Sequence, residues 1–306
     1  MKKLLICVLL FAVLLTLPAC QKQEAKSEDI YFISQADYEK KTYVMHYGGG
    51  NIIENVYELH SDIACIDGSR LFYAEDETVY SVELTSGEVS EYAVMPAKIT
   101  YMCAGGDSVY AICRPVYGEY RYIIYRTTPD GVERVGDYGA LSRLYSMVIG
   151  DGKLFYIDDS DALIAYDTVS GETEKVADDC FGWLFYGDGN VYISNVDRMS
   201  KVDISSGEKS FVMRGMGGVP HDGYIYYSHQ LFCDSDHMWY EIFRRKDDSI
   251  ELCGKASLYS MGFHELSDLI TFGEYGFITQ GVKHFDPTEY TYFPYGSTEG
   301  ITLTVK

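Results

Sequence analysis

The chain has 306 residues, with 46 acidic against 25 basic side chains and a formal net charge of −21. That balance excludes nucleic-acid binding, which needs basic patches, and adhesion to an anionic lipid surface. It suits an exported domain kept soluble by self-repulsion, with calcium or a cationic partner as the alternative use of the charge.

The chain begins with a basic pair, Lys2-Lys3, and an almost unbroken apolar run from Leu4 to Leu17. This run is too short to span a bilayer and has the form of a signal peptide. It ends at Leu17-Pro18-Ala19-Cys20, which resembles the bacterial lipobox, whose cysteine is lipidated and becomes the new N-terminus. The expectation is therefore a lipoprotein signal peptide over 1–19, lipidation at Cys20 and export to the outer side of a bacterial membrane. An ordinary cleaved signal is the alternative. Residues 20–29, QKQEAKSED after the cysteine, are polar and read as a flexible tether. Residues 30–306 then form one domain.

Within that domain a short apolar-aromatic strand recurs: Leu71-Phe72-Tyr73, Ser108-Val109-Tyr110, Leu154-Phe155-Tyr156, Asn190-Val191-Tyr192 and Tyr224-Ile225-Tyr226. Each is followed by a further strand and then a turn, at Ser86-Gly87-Glu88, Asp130-Gly131, Ser170-Gly171-Glu172 and Ser206-Gly207-Glu208, with degraded forms at Asp247-Asp248 and Pro287-Thr288. A period of about 40 residues made only of strands predicts a β-propeller of four-stranded antiparallel blades. The clearest unit runs from Leu144 to Asp179, with strands at Tyr145–Ile149, Leu154–Ile157, Leu163–Asp167 and Thr173–Val176. Counting Gly48-Gly49-Gly50 as the first turn predicts seven blades, with six or eight as alternatives. The chain enters at a second strand, Ile30–Ile33. The alternating Ile301–Val305 is expected to supply the missing first strand of blade one and close the ring.

Leu154-Phe155-Tyr156-Ile157-Asp158, followed by Ala165-Tyr166-Asp167 and Ser170-Gly171, resembles the YWTD-type and related bacterial propeller repeats, as does Tyr224–Ser228. With the lipobox, the chain is similar to bacterial surface lipoproteins carrying a YWTD-like or TolB-like propeller. That resemblance implies binding of a ligand or partner on one propeller face and implies no catalytic residues.

The candidate binding face follows from an extended connection, Arg114 to Tyr122 (RPVYGEYRY). Tyr and Arg are frequent binding hot spots. Second-to-third-strand connections share one propeller face with the segments entering each first strand. That face is expected to gather Arg114, Tyr117, Tyr120, Arg121, Arg143, Tyr145, Trp183, His221, Trp239 and Tyr259, together with Arg198 and Arg214. Such a set suits a protein, peptide or glycan ligand.

Asp158-Asp159-Ser160-Asp161 and Asp234-Ser235-Asp236 have fragments of calcium-loop character, but turn chemistry accounts for them and no cofactor is expected. Six cysteines beyond Cys7 and Cys20 form no C-x-x-C pair and read as small buried hydrophobes. No nucleophile elbow, zinc-protease helix or phosphate loop is present. The expectation is a non-enzymatic, membrane-anchored binding module. The alternatives are an envelope enzyme, glycan-cleaving or lyase-type, and a scaffold for envelope assembly.

Overall fold

The structure is a computed structural model and describes residues 28–36, 41–106, 108–114, 122–128, 131–138, 146–195, 197–214, 218–233, 238–257, 270–283 and 286–306. Among the described residues there are strands and turns and no helix. Strands β1–β3 are Ile30–Ala36, Lys41–Tyr47 and Ile52–Leu59. Strands β4–β7 are Ala64–Asp67, Arg70–Glu75, Thr78–Glu83 and Glu88–Val94, and β8–β11 are Ile99–Gly105, Ser108–Cys113, Tyr122–Thr128 and Gly131–Tyr138. Strands β12–β15 are Met147–Gly150, Lys153–Ile157, Leu163–Asp167 and Thr173–Ala177, and β16–β19 are Trp183–Gly187, Asn190–Ser194, Arg198–Asp203 and Lys209–Arg214. Strands β20–β23 are Val219–His221, Tyr224–Cys233, Met238–Lys246 and Ser249–Ser257, and β24–β27 are Ile270–Phe272, Gly276–Lys283, Asp286–Pro294 and Ile301–Val305.

Strands β4 to β23 form five four-stranded antiparallel sheets, each ordered as in the chain. The recurring apolar-aromatic motif falls in the second strand of each (β5, β9, β13, β17 and β21). Every residue of β9 is buried. Its side chains divide by parity, as a period of two requires. Val109, Ala111 and Cys113 join a cluster with Phe72 and Ala74 of the preceding sheet, while Tyr110 and Ile112 join one with Leu154 and Tyr156 of the following sheet. Strand β13 divides in the same way, with Phe155 and Ile157 packing against Leu184 and Val191.

Turn chemistry is local and repeated. The first-to-second-strand hairpins carry Asp151-Gly152, Asp188-Gly189 and Asp222-Gly223, all with positive φ (47° and 72°, 51° and 69°, 49° and 73°), the backbone of a tight type I′ turn. In the third-to-fourth-strand turn, Asp203 Oδ1 accepts bonds from the amides of Ser205 and Ser206, at 3.0 and 2.9 Å, and from both hydroxyls. These bonds, the Ser205 hydroxyl foremost, pull its carboxyl down to about 2. Asp167 repeats the arrangement with Val169 and Ser170. A bulge interrupts the pairing of the third with the fourth strand in all five sheets, at Val79/Tyr80, Ile124/Tyr125, Leu163/Ile164, Met199/Ser200 and Ile242/Phe243, which adds twist to the outer strand.

The ends of the domain depart from the sequence expectation. Strand β2 pairs with β3 through the same kind of bulge, at Val44/Met45, so β1–β3 correspond to a second, third and fourth strand. The C-terminal strand does not complete that unit beside β1. It folds back antiparallel on β26 (Tyr290↔Leu303) and lies parallel to β3 at its other edge (Thr304↔Ile52). Leu303 is thereby buried with Ile30, Phe32 and Tyr290. The Pro287-Thr288 pair, expected to be the last turn, lies within β26, and the chain turns instead after Pro294, where Gly296 has φ 79°. Tyr290 and Tyr292 enter the core from β26, and this burial holds the segment extended.

First strands of successive sheets meet through glycines. A Cβ added at Gly105 would come within 2.9 Å of Ile149, at Gly150 within 2.2 Å of the Tyr186 ring, and at Gly187 within 2.8 Å of Pro220. The Tyr186 ring has little freedom to retreat, because it stacks on Phe155 at 5.8 Å. Gly150→Ala is expected to destabilise the protein by about 1–3 kcal/mol through this overlap. Gly48→Ala, whose Cβ would stand 3.5 Å from its nearest neighbour, is expected to change stability by less than about 0.5 kcal/mol. Urea unfolding of the two variants beside the parent measures both values.

Candidate functional site

Successive sheets present like ends to one another. Ser146, which precedes β12, binds the start of β16: its hydroxyl accepts from the Leu184 amide at 2.8 Å. One end of each sheet therefore carries the segments entering first strands and the connections between second and third strands. The other end carries the Asp-Gly hairpins.

Arg114 follows β9 at the first of these ends, with its amide bonded to the Lys98 carbonyl at 2.8 Å and its side chain exposed. Trp183 opens β16 there, half-buried and opposite Ser194. Trp239 lies near the start of β22, half-buried and in register with Phe232 on one neighbouring strand and Ser257 on the other. Arg198 opens β18 and Arg214 closes β19. The two are direct cross-strand partners, and both are exposed. Two like charges placed opposite each other destabilise a sheet, and an anion between them relieves that. Tyr117, Tyr120, Arg121, Arg143, Tyr145 and Tyr259, together with Cys20, lie outside the described residues.

His221 belongs to the opposite end. It closes the short strand β20 and leads into the Asp222-Gly223 hairpin, opposite Tyr224. Its ring stacks on Phe272 at 4.1 Å, and its Nε2 is 2.9 Å from the Tyr295 hydroxyl. The sequence places His221 near the beginning of its repeat, but β20 has only three residues, so His221 stands at the strand's far end.

The same end has an open pocket of about 550 Å³ between the start of β1, the β4–β5 hairpin and the β24–β25 hairpin. Glu28 is only 5% exposed, although its sequence context is that of the tether. Its Oε1 accepts the Tyr292 hydroxyl at 3.0 Å and also the Tyr275 amide. Burial pushes the Tyr292 phenol far up, so it remains a donor. Asp29 is 2.5 Å from His46 Nε2, and His46 stacks on Tyr31 at 4.4 Å. The sequence held no local sign of this pocket, because its walls come from segments more than 200 positions apart.

Other candidates resolve into structure. Asp158 Oδ1 accepts from the Ser160 amide and hydroxyl and from the Ala162 amide, all within its own turn. Asp234 and Asp236 lie outside the described residues. Burial pushes the thiols of Cys65 and Cys113 up to about 12 and that of Cys253 to about 11, which suppresses the reactive thiolate. Comparison with known proteins returned no match, either to a protein-family model or to a curated protein.

Burial lowers the His221 pKa below 6.5, against a smaller opposing pull from Asp222 and Asp188. The unfolded chain then binds the proton more readily, so the stability held above pH 6.5 is lost as pH falls through the depressed folded value. Thermal melts at pH 7.5 and 5.0 are expected to show a smaller drop for His221→Phe than for the parent.

Proposed function

We propose that the chain is a seven-bladed β-propeller, held to the outer side of a bacterial membrane by lipidated Cys20, that works as a non-enzymatic binding module. Seven apolar clusters support the architecture. Six join sheets consecutive in the chain, and the seventh joins β1–β3 to β25–β27 through Ile30, Phe32, Tyr47, Ile278, Tyr292 and Leu303. A chain of neighbours whose last member packs on its first is a ring. In this reading the first blade has three strands, and its missing one is the innermost.

The observation that carries the binding function is the Arg198–Arg214 pair, set at the same end as Arg114, Trp183 and Trp239 on a protein of net charge −21. Forked guanidinium donors beside flat aromatic surface suit the carboxylates, sulfates or phosphates of an anionic glycan or peptide. Exposed acids at the same end, Asp76, Asp159, Asp179 and Asp197 among them, confine the attraction to the arginine pair itself. The tether fits this orientation. The eight steps of chain from Cys20 to Glu28 reach at most about 29 Å, which favours the pocket end toward the membrane and the arginine end outward.

Two measurements test the reading. Cys20→Ala is expected to abolish fatty-acid labelling and release the protein from the membrane fraction, and equal labelling of parent and variant overturns the anchor. Arg198→Ala with Arg214→Ala, and separately Tyr120→Ala with Arg121→Ala, are expected to weaken binding to sulfated or carboxylated glycans and acidic peptides by about 1–2 kcal/mol per contact without lowering the melting temperature. Binding unchanged in both double variants overturns the face.

A further inference from the structure

The pocket at the opposite end is lined by acids alone among its charged residues. We infer that it binds an organic cation, an alkylammonium or guanidinium head group, with Glu28 as its counter-charge. This inference stands apart from the anion-binding face.

The pocket is lined by three carboxylates, Glu28, Asp29 and Glu274, and by no basic side chain. Glu28 is the informative one. It is 95% shielded from solvent by its 5% exposure, and its Oε2 has no hydrogen-bond partner, while Oε1 is fully engaged by Tyr292 and Tyr275. A buried carboxylate oxygen without a donor carries a desolvation cost that nothing in its own fold repays. A cation seated in the pocket supplies counter-charge to this carboxylate across the Gly273 wall. Oε2 lies against Gly273, another lining residue, where an added Cβ would come within 2.3 Å. The absent side chain is what leaves room for the carboxylate at the pocket wall.

The walls suit an organic cation. Tyr31 and Phe272 line the pocket, and each is held by stacking, Tyr31 on His46 at 4.4 Å and Phe272 on His221 at 4.1 Å. Aromatic faces attract ammonium and guanidinium groups. Among the described residues, no group of three or more His, Cys, Asp or Glu side chains is placed to hold a metal ion. The negative charge is therefore spread around a cavity of about 550 Å³, which fits a head group with an alkyl stem better than a point charge.

The cation has two sources that share this chemistry: a free amine, or the side chain of a lysine or arginine in a peptide. Strand β1 borders the pocket and, among the described residues, pairs only with β2, so a peptide backbone would find an edge there to pair with.

Isothermal titration with n-butylammonium chloride, and with a capped pentapeptide bearing one central lysine, tests the inference. The parent is expected to bind one equivalent. Glu28→Gln keeps an oxygen for Tyr292 and Tyr275 but loses the charge, and is expected to weaken binding about tenfold or more. Glu274→Gln, at the exposed rim, is expected to weaken it less and serves as a second probe if Glu28→Gln melts early. Glu299→Gln, an exposed acid outside the pocket, is expected to leave binding unchanged. Peptide binding tighter than that of the amine assigns the cation to a peptide, and equal binding assigns it to a free amine. Absence of binding by both probes overturns the inference, as does equal weakening in Glu28→Gln, Glu274→Gln and Glu299→Gln, which would mean diffuse attraction to an acidic surface.

Discussion

Burial of each second strand on both faces is the constraint on which the rest of the fold depends. Strand β9 is buried at every residue, and its alternate side chains serve two different clusters. A sheet built on such a strand cannot be stable alone, because each face exposed to water would forfeit roughly 25 cal/mol for every Å² of apolar area. Each sheet therefore needs a neighbour on either side, and the need passes from sheet to sheet along the chain. It reaches β1–β3, where Val44 and Leu59 face the next sheet and Ile30 and Tyr47 face the last.

Close approach of the sheets shapes the details. First strands converge, so they end in Gly105, Gly150 and Gly187, into which Ile149, Tyr186 and Pro220 fit. A bulge at each third-to-fourth pairing from β4 to β23 adds twist to the outer strand. The cysteines follow the same logic. Cys113 and Cys180 are buried in apolar clusters, and burial keeps their thiols protonated.

Charge is organised by the same geometry. Part of the acid excess is turn chemistry, since Asp158, Asp167 and Asp203 accept bonds from the amides of Ala162, Ser170 and Ser206 in their own turns and Asp151, Asp188 and Asp222 adopt left-handed conformations. The rest stands at both ends of the sheets, with Asp76, Asp159, Asp179 and Asp197 exposed at the arginine end. One end sets Arg198 against Arg214, and the other gathers Glu28, Asp29 and Glu274 around a pocket.

The sequence by itself determined the strands of β4 to β23, their order within each repeat and most turns between them, but not the turn after β26. These depend on alternation over a few residues and on the backbone preferences of Gly, Asp and Ser, all of which are local. Leu163–Asp167 is a strand with the bounds expected between its flanking turns, and Ser170-Gly171 and Ser206-Gly207 are turns. Trp183 and Arg114 likewise stand where their place in the repeat puts them. Only the tertiary structure decided which edges meet. Ile301–Val305 is legibly a strand, but whether it joins β1 or β26 depends on the turn after Pro294 and on the space for Leu303. His221 changes ends because β20 is short. Glu28 ends a polar stretch in sequence, yet it is buried because Tyr292, 264 positions away, comes to bind it. No local pattern encodes a contact across that separation, since it exists only once every intervening sheet has packed on the next.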